Sequence, residues 1–206
     1  MFQKKFALAL AALMMAGSLT ACGGNDAPAA AGSAADNSNA SSSSATPTID
    51  AIVEKGEITM LTNAQFPPFE YLADDGSVQG VDVDLAQAVA DKLGVKLNVV
   101  DMDFNSIVSS LKAGKGDFAA AGMTITEERQ KQVDFTNEYV TSSQMVIVRA
   151  DSDLTADDEA LSGKNIAVQE GTTGDWYADG DTENTGSTIK NANVLRYKSA
   201  VEAGMN

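Results

Sequence analysis

The 206-residue sequence contains no histidine, one cysteine, one tryptophan and four prolines. The absence of histidine rules out His-based nucleophilic triads and, with so little cysteine, His/Cys zinc sites. Cys22, the single cysteine, has no partner for an intramolecular disulfide. Basic residues are scarce too: 14 Lys and Arg face 29 Asp and Glu, for a formal net charge of −15. A chain this acidic is a poor binder of nucleic acid or of anionic lipid. Asp82 and Asp84 in GVDVDLA could suggest a metal pair. They precede a helical pattern without further ligands nearby, so they read as favourable charges at a helix N-terminus. No metal or cofactor is expected.

The N-terminus carries a processing pattern. Lys4 and Lys5 precede an apolar run from Phe6 to Met15, and small residues lead to Cys22. This is a secretory signal peptide over residues 1–21, too short for a spanning helix. Its loss removes two lysines and takes the formal charge from −15 to −17. LTAC, Leu19–Cys22, resembles the lipobox of bacterial lipoproteins. That resemblance implies that Cys22 is lipidated, anchoring the protein to the membrane outside the cytoplasm. After Cys22, residues 23–48 are rich in Ala, Ser, Gly, Asn and Pro and hold no large apolar side chain, so 22–48 is read as the lipidated cysteine and a linker. Such a stretch cannot bury enough surface to fold and serves as a tether.

Residues 49–206 are long enough for one sizeable domain. GEITMLTN reads as a strand and FPPFEYLADDGSVQG as a turn-rich loop. VDVDLAQAVADKLG reads as a helix, with Leu85, Ala88, Val89 and Lys92/Leu93 recurring at helical spacing and Gly94 as its stop. VKLNVVDM is a strand, NSIVSSLKAGKG an amphipathic helix, DFAAAG a short buried strand and TEERQKQVDF a third helix. SSQMVIVRA, 142–150, reads as a long apolar strand. A short acidic helix, the strand KNIAVQ, a Gly-Thr-Thr turn, the strand NANVLRY and a helix start follow. Alternating strands and helices predict an α/β protein with a largely parallel sheet. Ligands in such sheets sit beyond the carboxyl ends of the strands, which places TNAQF, AGMTIT and QEGTTG together.

Within AAAGMTITEERQKQVDF, Arg129 is a cation near a helix N-terminus, where acidic side chains are favoured. That position suits an arginine only if it has an anion to hold. TNAQFPPFEY, GVDVDLAQAVADKLG, the run from SSLKAGKGDFAAAGMTITEERQ to TSSQ, and GKNIAVQEGTTGDWY resemble, in order and spacing, one family. It is family 3 of the bacterial extracytoplasmic solute-binding proteins, which serve amino-acid ABC transporters. The resemblance implies a type II periplasmic-binding-protein-like fold of two α/β lobes joined by crossing strands. Lobe one would be residues 49–142, the first crossover 143–150 and lobe two 151–206. The family continues past the point matching Asn206, so the second lobe is expected to be incomplete and poorly stable in this chain.

By the same resemblance, Arg129 clamps the α-carboxylate of a free amino acid. Thr124 adds its N–H, and Gly122 gives close backbone approach and an acceptor for the ammonium. Thr173 binds the same carboxylate from the opposite lobe with Gly171 and Thr172 beside it, Phe66 and Phe104 flank the side chain, and Asn63 lines the pocket. The ligand would be a polar or basic amino acid (glutamine, lysine, arginine, histidine or cystine), delivered to an ABC permease by a monomer. An enzymatic alternative on this fold is a cyclohexadienyl (arogenate or prephenate) dehydratase, with Glu70 or Glu170 as its acid. A ligand-sensing receptor domain would require a membrane-spanning helix and an output segment that the sequence does not show.

Overall fold

The computed structural model describes residues 48–206. The leader, Cys22 and the tether through Pro47 lie outside the described residues. In chain order the first region comprises α1 (Ile49–Lys55), β1 (Glu57–Thr62), β2 (Gln65–Phe66), β3 (Glu70–Leu72), β4 (Val78–Gln79) and α2 (Val81–Leu93). It continues with β5 (Lys96–Asp101), a 3-10 turn at Phe104–Ser106, α3 (Ile107–Lys112), β6 (Phe118–Ala119) and α4 (Glu127–Gln130). The second region comprises α5 (Asp158–Leu161), β7 (Asn165–Gln169), α6 (Thr173–Ala178), α7 (Thr182–Thr185), β8 (Asn193–Tyr197) and α8 (Ala200–Met205).

β1 is the middle strand of a parallel sheet in the order β5-β1-β6. Its run Ile58–Thr62 is buried throughout, as a parallel strand covered on both faces must be. Ile58 packs with Ile52 of α1 and Ala90 of α2, while Leu61 packs with Ile107 of α3 and Ala121. In the second region β7 and β8 pair in parallel, with Ile166 opposite Val194 and Val168 opposite Arg196. The α/β class with parallel sheets is therefore the observed one.

Four local expectations are corrected. The loop read into 64–79 is an antiparallel meander, with Phe66 opposite Glu70 and Leu72 opposite Val78. The Asp75-Gly76 turn closes it, with Asp75 Oδ1 accepting from Ser77 N at 2.9 Å. α2 stops at Gly94 as predicted but buries Asp82, Ala86 and Ala90, and Leu85 and Val89 face solvent at 46% exposure. Small alanines let the helix come close to the sheet, which its larger apolar side chains would prevent. The third helix is a single turn, α4.

The segment 142–150 forms no strand, and its Ile147 is 90% exposed. Apolar patterning alone does not make a strand: its backbone groups need a paired neighbour, and among the described residues none runs beside it.

Candidate functional site

The turns after β1, β6 and β7 converge as the topology requires. Asn63, just past β1, is buried. Its Nδ2 donates to Met102 O at 2.8 Å, and its Oδ1 accepts from Gln169 Nε2 at 2.8 Å. Gln169 ends β7, so this buried bond ties the two regions together. A cleft of about 210 Å³ is lined by Phe104, Met123, Glu128, Arg129, Gly171 and Trp176 among others, and Asn63, expected in the pocket, is not in its lining.

Arg129 is the charged centre of this cleft. Thr126 caps α4 by accepting from Arg129 N at 3.2 Å, which orients the arginine's backbone. The side chain then turns inward and is only 5% exposed. Nη1 donates to Thr124 O at 2.7 Å, and Nη2 donates across to Gly171 O at 3.1 Å. The guanidinium carbon lies 5.6 Å from the Phe104 ring centre and 4.8 Å from that of Trp176. Burial draws Arg129 down to about 10, so it remains a cation at neutral pH. Among the described residues it pairs with no carboxylate, and its remaining N–H groups make no hydrogen bond. A buried cation with spare planar donors is suited to a carboxylate taking two parallel bonds.

The other named residues divide into cleft and frame. Phe104 and Gly171 line the cleft, and Thr124 reaches it through its carbonyl. At Gly171 φ is +77°, and a Cβ would lie 2.8 Å from that of Asn105, so the two regions approach closely only with glycine there. Gly122, at φ +52°, packs against the Phe66 ring, where a Cβ would meet the ring at 3.1 Å. Phe66 itself stacks on Phe69 at 5.4 Å, outside the lining of this cleft. Trp176 is the second aromatic against the guanidinium and also lines the cleft. Thr172 caps α6, accepting from Asp175 N at 3.2 Å and donating to Gln169 O at 2.9 Å. Its hydroxyl is therefore used within the frame. Thr173 opens α6, and among the described residues its hydroxyl makes no hydrogen bond.

Gln169, Asn105 and Lys198 were not anticipated. Lys198 Nζ bridges Asp103 Oδ2 and Glu170 Oε2, both at 3.1 Å, a second tie between the regions. A polar residue ending the apolar run NIAVQ was the available signal for Gln169. Lys198 and Asn105 had none, because their partners are distant in sequence. Of the two acids weighed for a dehydratase, Glu170 is held by Lys198, and Glu70 is buried away from the cleft lining.

With this geometry in place, the likenesses to known proteins are informative. Residues 58–196 match the model of the bacterial extracellular solute-binding proteins, family 3. The arginine-binding extracellular protein ArtP of Bacillus subtilis is 39% identical over 82% of this chain and 56% of its own length. The L-arginine-binding protein of Pseudomonas aeruginosa is 34% identical over 69% of this chain and 53% of its own. The chain thus spans about half the length of the curated relatives it matches. Among solved structures, holo ArgBP from T. maritima superposes with a TM-score of 0.69 at 40% identity, over 77% of this chain and 67% of that one. The ancestral amino acid-binding protein AncCDT-1, a precursor of cyclohexadienyl dehydratase, gives 0.67 at 34%, over 76% of this chain and 67% of that one. The chain belongs to the bacterial extracellular solute-binding proteins, family 3.

Proposed function

We propose that this chain captures a free basic amino acid, arginine foremost, outside the cytoplasmic membrane and passes it to an ABC permease. The observation that carries this reading is Arg129: a buried cation between Phe104 and Trp176, with unused donors and bonds to both sides of a cleft. The ligand's α-carboxylate takes those donors. The names of the relatives, arginine- and histidine-binding, point to a cationic side chain. The acidic composition attracts such a ligand at long range, and Glu128 gives the cleft lining a carboxylate.

Residues 49–142 form the first lobe, 143–150 the connection and 151–206 the second lobe in this reading, with a lipid on Cys22 as the anchor. The chain binds rather than transforms its ligand, because neither Glu70 nor Glu170 presents a free acid to the cleft. Isothermal titration of the protein with L-arginine, L-lysine, L-histidine and L-glutamine tests it. Micromolar binding, about −8 kcal/mol, is expected for at least one basic amino acid. No heat with any of the four overturns the reading.

A further inference from the structure

Outside the cleft lining lie two buried carboxyls that ligand capture does not use. Glu70, on β3 opposite Phe66, is 1% exposed, and Asp82, in the first turn of α2, is fully buried. Asp82 Oδ2 accepts two hydrogen bonds, from Gly122 N at 2.8 Å and from the Tyr139 hydroxyl at 2.9 Å. Both Glu70 oxygens and Asp82 Oδ1 have no donor. Among the described residues no Lys or Arg pairs with either carboxyl. Both meet at Gly122, whose N–H donates to Asp82 and where a Cβ would lie 4.0 Å from Glu70 Oε1. Two buried carboxylates so placed without a cation cannot both be ionised. One proton on Glu70, directed at Asp82, satisfies an oxygen on each.

The titratable groups facing Glu70 are Asp82 from α2 and Tyr139 from the segment after α4. Burial first, and then the hydrogen bond and charge of Asp82, push Glu70 up to about 9. Tyr139 is raised by burial and by Asp82, so it stays a donor.

We propose that Glu70 and Asp82 hold one shared proton, and that this proton makes Asp82 the positioning residue for Tyr139 and for Gly122, the neighbour of Met123 in the cleft lining. The consequence for stability has a definite sign. The folded chain keeps a proton on Glu70 that the unfolded chain releases above its ordinary value of 4.5. Stability therefore falls as pH rises from about 4.5 to about 9, and Glu70→Gln, a neutral donor of the same shape, lacks that slope.

The test uses the ligand-free full chain, so its outcome is independent of which amino acid binds, or whether one does. Carbon-13 NMR follows the Glu70 carboxyl while nitrogen-15 NMR follows the Gly122 amide across this pH range. The expected result is a Glu70 carboxyl titrating near 9, with the Gly122 resonance moving at the same midpoint in the wild type and staying still in Glu70→Gln. The melting temperature of Glu70→Gln should exceed that of the wild type by an amount that grows from pH 5 to pH 9. A Glu70 carboxyl titrating in the ordinary carboxylate range, or a Gly122 amide indifferent to its titration, overturns the proposal. The wild-type titration decides the matter even if the variant does not fold.

Discussion

The two parallel sheets are held together by different means. In the first region β1 has a partner on each side and apolar clusters on both faces, built around Ile58 and Leu61. In the second, β7 has one parallel partner, and β8 leaves Leu195 at 39% exposure. Side-chain hydrogen bonds carry more of the load there. Asp175 takes Arg196 Nε at 2.8 Å and Gly171 N at 2.9 Å, and Asp158 takes the hydroxyls of Tyr177 and Thr188. The site divides along the same line. The apolar, close-packed region supplies the charge, Arg129. The polar, hydrogen-bonded region supplies a backbone carbonyl and a helix start. A cation is best preorganised where packing leaves it no alternative, and a closing surface needs only backbone groups and a hydroxyl that its own fold leaves free.

The largest expected effect breaks the first half of that division. Arg129→Ala removes the clamp, and each charge-assisted bond contributes about 1.5–3 kcal/mol. Loss of two such bonds lowers affinity for L-arginine on the order of 100-fold or more by titration calorimetry. Circular dichroism should still show a folded first region. Undiminished affinity would return Arg129 to a packing role. Arg129→Lys should recover little, because an ammonium cannot make two parallel bonds to one carboxylate.

A pair of core substitutions sharpens the contrast in packing. Leu61, fully buried against Ile107 and Ala121, should cost about 2–5 kcal/mol of stability as alanine. Leu195→Ala, on the half-exposed β8, should stay within about 0.5 kcal/mol. Urea denaturation of the two variants compares them directly. Equal losses would mean that the second region is as dependent on apolar packing as the first.

What the sequence disclosed follows the same split. β1 was legible because the short run EITMLT alternates β-favouring residues and stops at polar ones. Arg129 was legible because it violated the charge preference of its helix end. α2 was phased wrongly because Val81, Leu85 and Val89 recur four residues apart just as Asp82, Ala86 and Ala90 do. The side that packs is chosen by fit to the sheet, not by hydrophobicity. Asp82 was read as a helix-end charge, since nothing local announces Gly122 and Tyr139 as its donors, 40 and 57 residues away. The segment 142–150 looked like a strand because patterning reports what a strand could bury. Pairing depends on chain elsewhere. The ties between regions, Asn63 with Gln169 and Lys198 with Asp103, join residues whose separation in sequence hides them.

Gly171→Ala probes the line where the regions meet. A methyl there would lie 2.8 Å from Asn105 Cβ, and an L-residue at φ +77° adds roughly 1–2 kcal/mol of backbone strain. Affinity for L-arginine should drop about tenfold, the loss that 1.4 kcal/mol produces. Small-angle scattering should show a more open average shape. A variant that binds as the wild type does would mean that close approach at Gly171 is unnecessary.

The smallest effects separate two adjacent threonines, Thr172 and Thr173. Thr172 is the cap of α6, its hydroxyl committed to Asp175 N and Gln169 O. Thr172→Ala should cost about 1 kcal/mol of stability, the usual loss for a helix cap, and a shift in urea midpoint reads it. Thr173 is one residue further on, with its hydroxyl uncommitted at the mouth of the helix. Thr173→Ala should leave the midpoint unchanged and weaken L-arginine binding about five- to tenfold, because only a bound carboxylate gives that hydroxyl a partner. The reverse pattern, with Thr173 affecting folding and Thr172 affecting affinity, would place the ligand contact on the cap itself. The second region would then contribute a side chain of its frame to the site, and the division between rigid charge and closing backbone would fail.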